Sequence, residues 1–198
     1  MARIYVITGP MFSGKSKELI RQLQLAGHTD MNILVLKPKG DTRANGEICT
    51  REKKCKHDTE FKTNSSFPAF EVETAIDAFF LIKKYQPDIP GIDEAQFLGS
   101  DFVQFFKELH ASKGYLNLIV IIAGIDLTSE NEPFGSMPAF MALADRVEKL
   151  RAVCFRCKEW PPTATMSHFK PGKKDQVAVG DADKYEAVCL TCWVALQP

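Results

Sequence analysis

Short apolar runs alternate with amphipathic stretches from residue 3 to about residue 151, and that alternation predicts a parallel sheet covered by helices. Ile4, Tyr5, Val6 and Ile7 form the first such run and predict a buried strand. Over residues 17–27, Leu19, Ile20, Leu23 and Ala26 recur at helical spacing. Residues 33–36 read as the next strand, and the polar stretch 37–70, with little periodicity, reads mostly as loop. A helix is expected over 72–85, with Ile76, Phe79 and Phe80 on one face. Residues 89–92 read as a strand despite Pro90, and Ser100 as the cap of a helix burying Phe102, Phe105, Phe106 and Leu109. The run at 116–123 predicts a parallel strand, 138–146 a helix and 147–153 a returning strand.

Beyond Cys154 the periodicity gives way to Pro161, Pro162, Pro171, Gly172 and Gly180, which places a boundary near residue 152. The expected organisation is a core over 1–152 and a small lobe over 153–198. Lys plus Arg and Asp plus Glu both number 25 in 198 residues, so no basic surplus points to nucleic acid or an anionic membrane. The opening residues lack a positive n-region, and no apolar run reaches the roughly 18 residues of a membrane span. With no disulfide pattern evident, the chain is expected to be cytoplasmic, with small molecules as partners.

Gly9, Pro10, Met11, Phe12, Ser13, Gly14, Lys15 and Ser16 fit G-x-x-x-x-G-K-S/T between an apolar strand and an amphipathic helix. Glycines let the backbone curl so that its N–H groups point inward, and the helix start adds a positive end. The expected occupant is the triphosphate of ATP, with Lys15 on the outer phosphates and Ser16 on Mg²⁺. A glycine turn that binds nothing is the alternative. The acidic pair Asp93 and Glu94 follows a predicted strand: Asp93 suits the Mg²⁺ side, and Glu94 suits a base that accepts the proton of an attacking hydroxyl. Solvated loop acids are the other reading.

Cys154 and Cys157, then Cys189 and Cys192, form two C-x-x-C knuckles, a complete tetrahedral thiolate set for a structural Zn²⁺. A redox dithiol and a zinc ribbon gripping nucleic acid are the rival readings. Cys49, Cys55 and the four histidines show no ligand spacing.

GPMFSGKS, DTR at 41–43, GIDEAQF at 91–97, PFG at 133–135, the two cysteine pairs and ADKY at 182–185 occur in the order found in type II thymidine kinases, which the chain resembles along essentially its whole length. The resemblance implies a RecA-like P-loop α/β core with a small zinc-binding lobe carrying a lid, transfer of the γ-phosphoryl of ATP to the 5′-hydroxyl of thymidine or deoxyuridine, and a homotetramer. It implies Glu94 as general base, Asp41, Arg43 and Gln96 on the phosphate side, and Phe97, Thr128, Phe134 and Tyr185 around the nucleoside. Backbone groups of Val177, Ala178, Val179 and Gly180 would hold the base from the lid. Two departures stand out: Ala95 replaces the family glycine of GIDEGQF, and Leu127, Thr128 and Ser129 stand where the family carries Gly-Thr-Phe. Outside the resemblance, a P-loop ATPase or nucleotide switch would use the same phosphate loop with water as acceptor.

Overall fold

The computed structural model describes residues 1–39, 46–49, 66–170 and 184–197. The chain order is β1 (Arg3–Thr8), α1 (Lys15–Ala26), β2 (Ile33–Pro38), β3 (Glu47–Cys49), β4 (Ser66–Pro68), β5 (Phe70–Val72), α2 (Ala75–Tyr85), β6 (Ile89–Ile92), α3 (Ser100–Ala111), β7 (Ile119–Gly124), α4 (Met137–Leu143), β8 (Arg146–Lys149), β9 (Met166–Phe169), β10 (Tyr185–Val188) and α5 (Leu190–Val194). Six strands form one sheet in the order β5-β2-β6-β7-β1-β8, and every pairing in it is parallel.

The continuous apolar runs are explained by a sheet buried on both faces. Alternate residues of each strand go to opposite sides. Ile4, Val6, Leu34, Leu36, Val120 and Ile122 join one core with Phe102, Phe106 and Phe140, the side covered by α2, α3 and α4. Ile7, Val35, Ile121 and Ala123 join a second core with Leu19, Ile20 and Leu23 of α1. A third, smaller core holds Ala152, Cys154, Ala164, Met166, Ala187 and Val188 around the β9–β10 hairpin. Among the described residues, no helix is long and apolar enough to cross a membrane.

Several sequence expectations are corrected. Of the stretch 37–70, read as mostly loop, the described residues hold the end of β2, the paired strands β3 and β4 and the start of β5, while 40–45 and 50–65 lie outside the described residues. Lys37 is a fully buried strand residue whose Nζ lies 3.4 Å from the Glu71 carboxylate. Helix α2 buries Ala78 and Ile82, while Ile76 and Phe80 are 65% and 62% exposed. Gly99, not Ser100, occupies the cap position of α3, and the Asp101 carboxylate instead accepts a hydrogen bond from the Ala75 N–H at the start of α2. The strand expected over 147–153 is the four-residue β8, followed by a single antiparallel bridge of Ala152 to Ala164.

Candidate functional site

The carboxyl ends of β1, β6 and β7 lie side by side in the sheet, where parallel α/β folds assemble ligand sites. From β1 the chain turns at Gly9 (φ +136°), where an added Cβ would overlap the Leu150 carbonyl oxygen. Only glycine fits there. The Pro10 carbonyl accepts hydrogen bonds from the Ser13 hydroxyl at 2.8 Å and from Lys15 Nζ at 2.8 Å, which closes the loop on itself. Helix α1 begins with Gly14 at its cap and no side-chain cap, so no side chain blocks its positive end. Lys15 is buried to 9% exposure. A tight glycine turn leading into an uncapped helix start is a type of loop that can hold an anion.

At the end of β6, the Asp93 N–H donates to the Leu36 carbonyl at 3.1 Å, which fixes the strand end against β2. The Asp93 carboxylate accepts the Ser16 hydroxyl and the Glu94 N–H, the latter at 3.0 Å. Burial, then the adjacent Glu94 charge, push the Asp93 carboxyl up to about 7, against the Ser16 bond and the Lys15 charge, which lower it. Glu94 has a left-handed backbone (φ +53°) and its carboxylate accepts Gln96 Nε2 at 2.6 Å. Gln96, 3% exposed, accepts the Ile125 N–H at 3.0 Å through its other end. Gln96 therefore ties Glu94 to the end of β7. Gly135 (φ +53°) lies so close that a Cβ would overlap the Gln96 carbonyl oxygen.

The structure brings together Lys15, Ser16, Asp93, Glu94 and Gln96. It also pairs Phe97 with Phe134, ring centroids 5.6 Å apart and nearly perpendicular. The Phe134 N–H donates to the Asp126 carbonyl at 2.9 Å. Tyr185 meets Phe169 at 5.2 Å, and burial, then the Glu130 charge, raise its hydroxyl pKa. The Thr128 hydroxyl accepts the Glu130 and Glu132 N–H groups and so shapes its own turn. Asp41, Arg43, Val177, Ala178, Val179 and Gly180 lie outside the described residues.

Other contacts around the site had no sequence signal. Asp126 is 5% exposed, with Oδ2 paired to Lys149 Nζ at 2.5 Å and Oδ1 buried without a hydrogen-bond partner among the described residues. Trp193 Nε1 donates to the Ser129 carbonyl at 3.0 Å, and the Met11 N–H donates to Ser167 Oγ at 2.9 Å. No sequence motif links the partners of these contacts; folding alone juxtaposes them.

The sulfurs of Cys154, Cys157, Cys189 and Cys192 all lie within 4.8 Å of one another, with Cys157 and Cys189 at 3.9 Å. Tetrahedral zinc with bonds of about 2.3 Å needs sulfurs about 3.8 Å apart, so the cluster fits the ion. The Cys189 N–H donates to Cys154 Sγ at 3.3 Å and the Cys192 N–H to Cys189 Sγ at 3.5 Å. The clustered thiols hold one charge at Cys154, where burial is outweighed by backbone N–H groups of Cys189, Cys157 and Arg156, which bring the thiol down to about 6. The hydrogen bond with Cys189, then burial, push Cys192 up to about 12. A thiolate anchored by backbone donors is what a metal ligand requires. With all four positions filled by sulfur, the ion would be structural.

A family model described as Thymidine kinase matches residues 2–193. The chain is 37% identical over 190 residues to the thymidine kinase of Mesomycoplasma hyopneumoniae (strain 7448), covering 96% of this chain and 94% of that one. It is 37% identical over 190 residues to the thymidine kinase of Metamycoplasma arthritidis, covering 96% and 89%. For the thymidine kinase of Bacteroides fragilis (strain YCH46) the figures are 35% over 192 residues, 96% and 86%.

Proposed function

The chain belongs to the thymidine kinase family, and on that premise we propose that it passes the γ-phosphoryl group of ATP to the 5′-hydroxyl of thymidine or deoxyuridine. The observation that carries this reading is the chain of contacts from phosphate loop to acid pair: the Ser16 hydroxyl on Asp93, and Glu94 beside it held by Gln96. Backbone N–H groups at the start of α1, together with Lys15, would bind the β and γ phosphates. Ser16 and Asp93 would hold Mg²⁺, which supplies charge neutralisation between those phosphates when bound. Asp41 and Arg43 are assigned to the same side by resemblance.

Glu94 accepts the proton of the 5′-hydroxyl as that oxygen bonds to the γ phosphorus and the bond to the ADP oxygen breaks. Gln96 holds the carboxylate in place for that transfer. Phe97, Phe134 and Tyr185 enclose the nucleoside, with Thr128 shaping one wall; Val177, Ala178, Val179 and Gly180 are assigned to the base by resemblance. The four cysteines keep a structural zinc, and the protein works in the cytoplasm as a homotetramer on small molecules.

The test is a panel of deoxynucleosides with MgATP. ATP should be consumed only when thymidine or deoxyuridine is present, and Glu94→Gln should retain ATP binding while losing about 10² to 10⁴ in turnover. Equal ATP consumption without any nucleoside would mark an ATPase instead, and full turnover in Glu94→Gln would remove Glu94 from its role.

A further inference from the structure

Phe12 sits in the middle of the phosphate loop with φ +64°, a left-handed conformation that a bulky side chain rarely adopts. Such a conformation persists only where the surroundings over-determine it. Among the described residues, two contacts from the cysteine-rich lobe fall on this segment of the loop. The Phe12 ring packs on the ring of Phe155, centroids 5.1 Å apart and tilted by 38°. The preceding Met11 N–H is held by the buried Ser167 hydroxyl at 2.9 Å.

Both contacts are anchored on the same hairpin. Ser167 belongs to β9, and the Phe155 N–H donates to the carbonyl of Ala187 in β10 at 2.9 Å. Phe155 also lies between Cys154 and Cys157, inside the first metal knuckle, so the turn that the metal would set is the turn that presents this ring. Phe155 is 38% exposed and Phe12 37%, so the pair is a surface clamp and not part of either buried core.

We propose that Phe155 is a positioning residue for the phosphate loop: carried by the cysteine knuckle, it clamps Phe12 in its left-handed conformation and holds the loop ready for the nucleotide triphosphate. The inference rests on the ATP reading given above and adds to it a physical path from the metal lobe to the donor side of the site. Loss of the clamp weakens the triphosphate and leaves the nucleoside untouched, because among the described residues Phe155 packs on the loop assigned to the one and on none of the aromatics assigned to the other.

Titration calorimetry with Mg²⁺ and a non-hydrolysable ATP analogue, beside elemental analysis for zinc, tests it. Phe155→Ala should keep the zinc content of the unaltered protein, bind the analogue about threefold to tenfold more weakly, as loss of an aromatic pair implies, and bind thymidine with unchanged affinity. Phe155→Tyr should restore analogue affinity. Phe12→Gly removes the ring and the strain together, so adding Phe155→Ala to it should cost nothing further. Wild-type analogue affinity in Phe155→Ala would overturn the clamp alone, as would equal weakening of thymidine, loss of zinc from that variant, or full additivity in the double variant. Failure of the unaltered protein to bind the analogue would overturn the ATP reading, and the clamp with it.

Discussion

Asp93 is buried beside a second carboxylate, and both facts favour its protonated form. With its pKa moved from 3.8 to about 7, folded Asp93 keeps a proton over a range where the unfolded chain has released it. The sign follows from linkage: the folded state pays nothing at Asp93 below the ordinary value, and the penalty grows as pH rises until it is complete above about 7. In magnesium-free and nucleotide-free buffer, Asp93→Asn should therefore melt several degrees above the unaltered protein at pH 8, with the gap closing toward pH 4. A gap independent of pH, or one that widens on acidification, would show that the Asp93 environment does not disfavour the carboxylate. Asp93 and Glu94 could be picked out from sequence because residue type and motif spacing specify their chemistry. Gln96 could be named only by resemblance, since its bonds to Glu94 and to the Ile125 N–H join two strand ends. Phe155 and Trp193 carried no signal, since an aromatic beside a cysteine is chemically neutral until folding gives it a partner.

The elements were legible in proportion to their length and periodicity. The runs of β1 and β7 and the stripe of α1 stood out because each is six residues or more and closely patterned. The three-residue strands β3, β4 and β5 did not, because so short a segment shows no period and takes its form from its neighbour. The β9–β10 hairpin was hidden for a related reason, with the prolines and glycines around it masking two strands of four residues. A two-stranded hairpin with a five-residue helix holds little fold on its own. A metal held by the four cysteines would therefore have most to do here, and we expect β9, β10 and α5 to order as a unit around it. Cys192→Ser should reduce bound zinc and raise amide exchange across β9 and β10, while the amides of β1 and β7 keep their protection. Retained zinc, or loosening spread evenly through the sheet, would refute that division of stability.

For the whole molecule, strand order lies beyond sequence reading, because β1 pairs with β7 and β8 across long connections. The outward face of α2 escapes sequence reading for a different reason: the sequence shows the apolar stripe, but not that Ala78 and Ile82 on the other side reach the core. Ile76 at 65% exposure, Phe80 at 62% and Phe79 at 39% leave an apolar strip on the surface of one chain. Its ends are charged oppositely, with Glu73 and Asp77 at the start of the helix and Lys83 and Lys84 at its close. Two copies of α2 packed antiparallel about a twofold axis would bury the aromatic strip and set each acidic end against the partner's lysines, the self-complementarity an isologous contact requires. Such a contact would close a dimer and supply one of the surfaces that the proposed homotetramer needs. In sedimentation or light scattering, Phe80→Glu should yield a smaller particle than the unaltered chain while thymidine binding persists, and high salt should shift the unaltered chain in the same direction by screening the end charges. An unchanged mass for Phe80→Glu would remove α2 from the assembly.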